Sequence, residues 1–152
     1  MTPLLKFSLF VFCFPRPMSK TIQLKIVTPT QTIFEGDVQN FTAPGAVGTF
    51  QVLFNHAPIV AKLMPGMFKY LLPSGSEEHY YISGGFLELH KNSGTVLADS
   101  AMRPDQINIA DVERQIANLK QRYADHELGM TNDEYHAELD AANAQLNVAR
   151  QG

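Results

Sequence analysis

The sequence predicts an antiparallel β-sandwich of about ten short strands followed by an antiparallel α-helical hairpin, and three observations predict it. Apolar residues alternate with polar ones from Thr21 to Ala98 in short runs, each closed by Gly, Pro, Asn or Ser. Past Asp99 glycine becomes rare and Ala, Gln, Glu and Leu take over, with apolar residues recurring every three or four positions. Between Gly48 and Gly66, two apolar runs at 49–53 and 59–63 flank a corner, Asn55-His56-Ala57-Pro58. There Pro58 fixes its own φ and excludes Ala57 from the helical region. The corner is therefore stiff and polar-tipped, suited to a catalytic loop or to a docking surface.

The elements follow in order. Ile22, Leu24 and Ile26 share one face of a first strand that Thr28-Pro29-Thr30 interrupts. Thr32-Ile33-Phe34 resumes, Glu35-Gly36-Asp37 reads as a turn, and Val38, Phe41 and Ala43 form the next strand, ended by Pro44-Gly45. Ala46-Val47-Gly48 reads as a flexible link into the central stretch. Beyond Pro65-Gly66 come strands at 67–72, 77–82, 86–90 and 95–98, separated by Pro73-Ser74-Gly75, Ser83-Gly84-Gly85 and Lys91-Asn92-Ser93-Gly94. Asn108 is placed to cap a helix whose stripe is Ile109, Val112, Ile116, Leu119 and Tyr123, with Gly129 as its left-handed stop. Thr131 and Glu134 have the spacing of a capping box for a second helix, with Tyr135, Leu139, Ala142, Leu146 and Ala149 on one face. A hairpin with such alanine-rich seams buries little by itself, so it must lean on the sandwich or on a partner. Its outer face carries Glu113, Lys120, Arg122, Glu127 and Glu138.

Composition excludes several functions. The 152 residues carry a formal charge of -3 and no basic run that would track a phosphate backbone. The one cysteine, Cys13, has no disulfide or zinc partner of its own kind. Residues 1–17 are apolar in part but too short to span a bilayer, which takes about 20 residues, and they lack a small-x-small cleavage site. They read as an extension, an upstream start included in the frame in preference to a targeting peptide, or a disordered segment, and are left out of the fold. His56, His79, His90, His126 and His136 form no pair with metal-ligand spacing, no Gly-rich phosphate loop ends in Lys-Ser/Thr, and no nucleophile elbow surrounds Ser83 or Ser100. No catalytic, cofactor, nucleotide or metal site is expected.

The ordered set Val27-Thr28-Pro29, Phe34-Glu35-Gly36, Ala43-Pro44-Gly45, Asn55-His56-Ala57-Pro58, Leu63-Met64-Pro65-Gly66, Ser83-Gly84-Gly85-Phe86-Leu87-Glu88 and Val96-Leu97-Ala98-Asp99-Ser100-Ala101 closely resembles the epsilon subunit family of bacterial F-type ATP synthases, the counterpart of the mitochondrial delta subunit. The resemblance runs from Ser19 to the C-terminus. It implies a non-catalytic rotor component of the central stalk, in which a sandwich at 18–102 binds the gamma subunit and the c-ring. A hairpin at 103–152 folds on the sandwich or extends to the alpha/beta head and inhibits ATP hydrolysis. The resemblance assigns partner contacts to Pro44, Gly45, Ala46, Val47, Gly48, Asn55 and His56. It also places the protein peripherally on the cytoplasmic face of the bacterial inner membrane.

Two departures qualify it. Relatives that bind ATP carry an Asp and an Arg where this chain has Asn108 and Asp111; an anion in place of the cation beside a phosphate is unfavourable, so no useful ATP binding is expected. Val47 stands where some relatives carry an acidic residue, which leaves a c-ring contact to backbone groups and His56. The competing readings are a free-standing binding module for carbohydrate or peptide with an oligomerising hairpin and, behind it, an enzyme using His56.

Overall fold

The computed structural model describes residues 20–125 and 129–152; the extension at 1–17, His126 and Glu127 lie outside the described residues. Ten strands come first: β1 (Ile22–Val27), β2 (Thr32–Val38), β3 (Asn40–Gly45), β4 (Gly48–Leu53), β5 (Ile59–Leu63), β6 (Gly66–Leu71), β7 (Glu77–Ile82), β8 (Gly85–His90), β9 (Ser93–Ala98) and β10 (Ala101–Met102). A 3-10 turn, Pro104–Gln106, leads to helices α1 (Ile109–Ala124) and α2 (Asn132–Gln151).

Along the sheet the strands run β10-β7-β6-β3-β5-β8-β9-β1-β2, with β4 on the other side of β3. The path narrows to one residue pair, Gly45 with Leu63, between β3 and β5. There the sheet folds over into two layers, β10-β7-β6-β3-β4 and β5-β8-β9-β1-β2. The alternation read from sequence supplies both inner faces: Phe41, Ala43, Val52, Phe68, Tyr70, Tyr80 and Ile82 from the first layer, Ile22, Leu24, Ile26, Val38, Leu63, Leu87, Leu89, Val96 and Ala98 from the second. Phe34 of β2 meets Tyr70 of β6 at 4.4 Å between ring centroids, joining the layers. One pairing departs from the antiparallel expectation: β1 lies parallel to β9.

Three local expectations are corrected. Glu35-Gly36-Asp37 is no turn but the middle of β2, each residue paired with β1; a polar alternation on an edge strand resembles a turn in sequence. Ala46-Val47 is no flexible link but the two-residue turn of a β3–β4 hairpin closed by Gly45 opposite Gly48, with Gly48 at φ 125°. Helix α1 stops at Ala124, so Gly129, although at φ 128°, lies beyond the helix end rather than capping it.

The hairpin forms as its caps predict. Asn108 accepts from the amides of Ala110 (3.1 Å) and Asp111 (3.3 Å). The Thr131 amide donates to Glu134 Oε2 (2.8 Å), and the Glu134 amide donates to Thr131 Oγ1 (3.3 Å). Tyr123 and Tyr135 stack at 4.0 Å near the loop, where Tyr123 Oη donates to Asn132 Oδ1 (2.9 Å). At the other end Arg150 reaches Glu113 (3.3 Å).

The sequence stripe of α2 missed its most buried residue. Val148 is fully buried, and with Leu146, Val112, Ile107 and Tyr81 it forms a second cluster beside Met67, Met102, Ile116, Ala142, Ala144 and Ala149. Helix α2 thus carries two apolar faces in its last turns, one toward α1 and one toward β6 and β7. A single-stripe reading sees only the first.

Two expected outcomes follow from these geometries. Gly85 sits at φ 135°, and a Cβ there would fall inside van der Waals distance of the Leu97 carbonyl oxygen and 2.9 Å from Ala98 Cα. Gly85→Ala should therefore destabilise the β8–β9 pair by at least about 2 kcal/mol, read as a lowered denaturation midpoint. The Thr131 amide and hydroxyl hold the Glu134 carboxyl below its usual range. A carboxyl so depressed stabilises the capped helix above its unfolded pKa, and that contribution is lost as pH falls through the folded value. The helical signal of the hairpin should accordingly weaken on acidification, and Glu134→Gln should remove that part of the acid dependence.

Candidate functional site

The residues singled out for partner contact fall at two places. Pro44, Gly45, Ala46, Val47 and Gly48 make the β3–β4 turn at one end of the sandwich. Asn55 and His56 make the β4–β5 corner at the other, beyond the opposite end of the ladder, where Asn40 faces Leu53. Strand β4 lies between them, so turn and corner stand roughly 17 Å apart at about 3.3 Å per residue. Val47 and His56 thus stand at opposite ends of a six-residue strand.

At the turn, Val47 is 105% exposed and Met64 41% exposed. The Met64 amide donates to the Pro44 carbonyl (2.9 Å), tying the turn to the 64–66 bend. Gly66 is required there, since a Cβ would come within 2.7 Å of Pro44 Cβ. A groove of about 510 Å³ runs from Pro44, Gly45 and Gly48 past Met67 to Ala144, Asn147 and Gln151 of α2, so the docked helix borders this end.

At the corner, Asn55 takes φ 63° and the His56 amide donates to the Leu53 carbonyl (3.1 Å). His56 Nδ1 lies 2.8 Å from the Ala57 carbonyl oxygen; a carbonyl only accepts, so Nδ1 carries the proton in this contact. Asn55, His56, Ala57 and Pro58 are all exposed.

A third surface was not singled out in sequence. Phe86 (54% exposed) and Leu97 (57%) are cross-strand partners on the outer face of the second layer, and Val60 (75%) lies diagonal to Phe86 on β5. Strand parity contains the signal: with Leu87 and Leu89 turned inward, Phe86 must face out. The outer face of the first layer, by contrast, is covered by the hairpin through Met67 and Tyr81. Burial pushes the Tyr81 hydroxyl pKa up while its hydrogen bond with Gln145 of α2 opposes that shift, which marks the seam as partly polar.

The other nominated chemistry does not assemble. Asn108 is occupied in capping α1, and Asp111 pairs with Arg114. Among the described residues, no three His, Cys, Asp or Glu side chains converge as a metal-binding group. No helix among them is long and apolar enough to cross a membrane.

Residues 21–104 match the family model of the ATP synthase delta/epsilon chain β-sandwich domain. The ATP synthase epsilon chain of Acinetobacter baumannii is 36% identical over 130 residues, covering 86% of this chain and 94% of that one; its Acinetobacter baylyi counterpart is 35% identical over the same span. Among solved structures, a chain of the Euglena gracilis mitochondrial ATP synthase OSCP/F1/c-ring assembly superposes with TM-score 0.67 at 18% identity, covering 86% of this chain and 78% of that one. A chain of the Tetrahymena thermophila mitochondrial ATP synthase central stalk/c-ring gives 0.52 at 12% identity, covering 85% and 93%. At those identities the two structures attest the fold alone. Sandwich, hairpin and sequence agree: this chain belongs to the ATP synthase epsilon chain family, a non-catalytic subunit of that enzyme's central stalk.

Proposed function

We propose that the sandwich, residues 18–102, is the coupling element, binding the gamma subunit and the c-ring, and that the hairpin, residues 103–152, is a brake on ATP hydrolysis. In this reading the hairpin exchanges its seat on the sandwich for the alpha/beta head. The protein works peripherally at the membrane face that bears the catalytic head, the cytoplasmic face of a bacterial inner membrane. The observation that carries the reading is the asymmetry of the two outer sheet faces. One is covered by a hairpin through a small seam centred on Val148, and the other leaves Val60, Phe86 and Leu97 bare.

The bare patch is the surface best suited to a permanent apolar partner such as gamma. The exposed β3–β4 turn and the β4–β5 corner, at opposite ends of the sandwich, can engage two partners at once. The seam suits reversible contact. It is a cluster of five buried side chains, Tyr81, Ile107, Val112, Leu146 and Val148, edged by two half-buried methionines and small alanines and separate from the sandwich core, so its loss leaves that core intact. In this reading nucleotide plays no part in holding the hairpin, since the anionic Asp111 stands where the resemblance would place a cation beside phosphate.

The test uses ATP hydrolysis by the assembled complex carrying residues 18–152, the chain truncated after Met102, or Val148→Asp. Truncation should raise the rate severalfold while the complex stays assembled. Val148→Asp places a carboxylate in the seam, frees the hairpin and should lower the rate. Equal rates in all three forms would remove the regulatory half of the proposal, and failure of every form to join the complex would remove the coupling half.

A further inference from the structure

The β4–β5 corner is exposed, yet its backbone is held in a defined shape. Asn55, His56, Ala57 and Pro58 are exposed, and Asn55 occupies the left-handed region at φ 63°, where a side chain is disfavoured. Two local bonds, His56 amide to Leu53 carbonyl and His56 Nδ1 to Ala57 carbonyl, shape it from within. A third restraint comes from 37 residues away. Asn92 Oδ1 accepts from the Asn55 amide at 2.7 Å, and Asn92 Nδ2 donates to Asn55 Oδ1 at 3.1 Å.

Asn92 is itself fixed. With Lys91 it forms the two-residue turn of the β8–β9 hairpin, at φ 46° and 60°, closed by His90 opposite Ser93. Its own carbonyl accepts from the Gln23 amide at 2.8 Å, where β1 begins to pair with β9. One residue therefore ties together the start of β1, the β8–β9 turn and the corner where the chain passes from the first layer to the second. The pairing needs an acceptor and a donor on one short side chain. Aspartate lacks the donor, and serine lacks the second polar atom.

We propose that Asn92 is the positioning residue of the His56 corner: its reciprocal amide pair with Asn55 presents the corner to the rotor in a fixed shape, so that binding does not have to order an exposed loop. This rests on the reading of the corner as a partner surface. Its signature is preorganisation, with an effect on binding that is larger than the effect on stability and that passes through His56.

The experiment titrates the full chain and three variants, His56→Ala, Asn92→Gly and the double variant, against a purified gamma subunit and c-ring complex, alongside melting and hydrogen exchange of the free chains. Glycine at 92 keeps the positive-φ turn and its backbone bond to Gln23, so only the clamp is lost. Asn92→Gly should weaken binding about tenfold, as loss of two surface hydrogen bonds and of preorganisation allows. Its melting temperature should shift by only a few degrees. The His56 amide should exchange faster, and the double variant should bind no worse than the weaker single one. If His56→Ala weakens binding while Asn92→Gly does not, or if the two effects add, the positioning role is wrong and the corner remains a contact. If His56→Ala binds like the unaltered chain, the corner reading itself falls and takes this role with it.

Discussion

The constraint on which the structure depends is that the β6–β7 pair is buried on both faces. Tyr80 and Ile82 of β7 point into the sandwich core, while Tyr81 between them points the other way, under α2. Strand periodicity makes this unavoidable once Tyr80 is inside, since successive side chains leave opposite faces. The outer Tyr81 and Met67 then form an apolar strip that water would otherwise cover. The last turns of α2 answer it with Val148 and Ala144. Hairpin and sandwich are thereby one packing problem with two parts of unequal size.

The inequality has functional weight. Among the described residues, the sandwich core holds sixteen buried side chains, whereas the second cluster holds five shared among the sheet, the 3-10 connection and both helices. Fully burying one apolar side chain stabilises by about 2 kcal/mol, so the five-residue cluster holds the hairpin far more weakly than the sixteen-residue core holds the sandwich. The hairpin also has ties that owe nothing to the sandwich: the Tyr123–Tyr135 stack, the Thr131–Glu134 box and the Glu113–Arg150 pair connect residues within the hairpin alone. It is therefore suited to moving as a unit.

Much of this was legible in the residues. The alternation of Ile22, Leu24 and Ile26 and of Leu87 and Leu89 set their strands and inner faces, and the Thr131–Glu134 and Asn108 caps marked the helix starts. These signals are local: dihedral preference, side-chain parity and short-range hydrogen bonds act within a few residues. The misreadings share the opposite cause. Glu35-Gly36-Asp37 is extended because β1 pairs with it, and Val148 is buried because β6 and β7 lie against it. The first partner is the preceding strand, beyond the reach of a residue's own preferences, and the second lies far back in the chain.

The sequence by itself determined a sandwich followed by a capped helical hairpin and, through its ordered motifs, the family. Only the tertiary structure decided that the β3–β4 turn and the His56 corner lie at opposite ends, that Phe86, Leu97 and Val60 meet as one patch, and that Asn92 holds Asn55. The physical reason is that composition, periodicity and capping report each segment's own preferences. Which ends and faces come together depends on how the sheet folds at the single Gly45–Leu63 pair, and on the register of strands far apart in the chain.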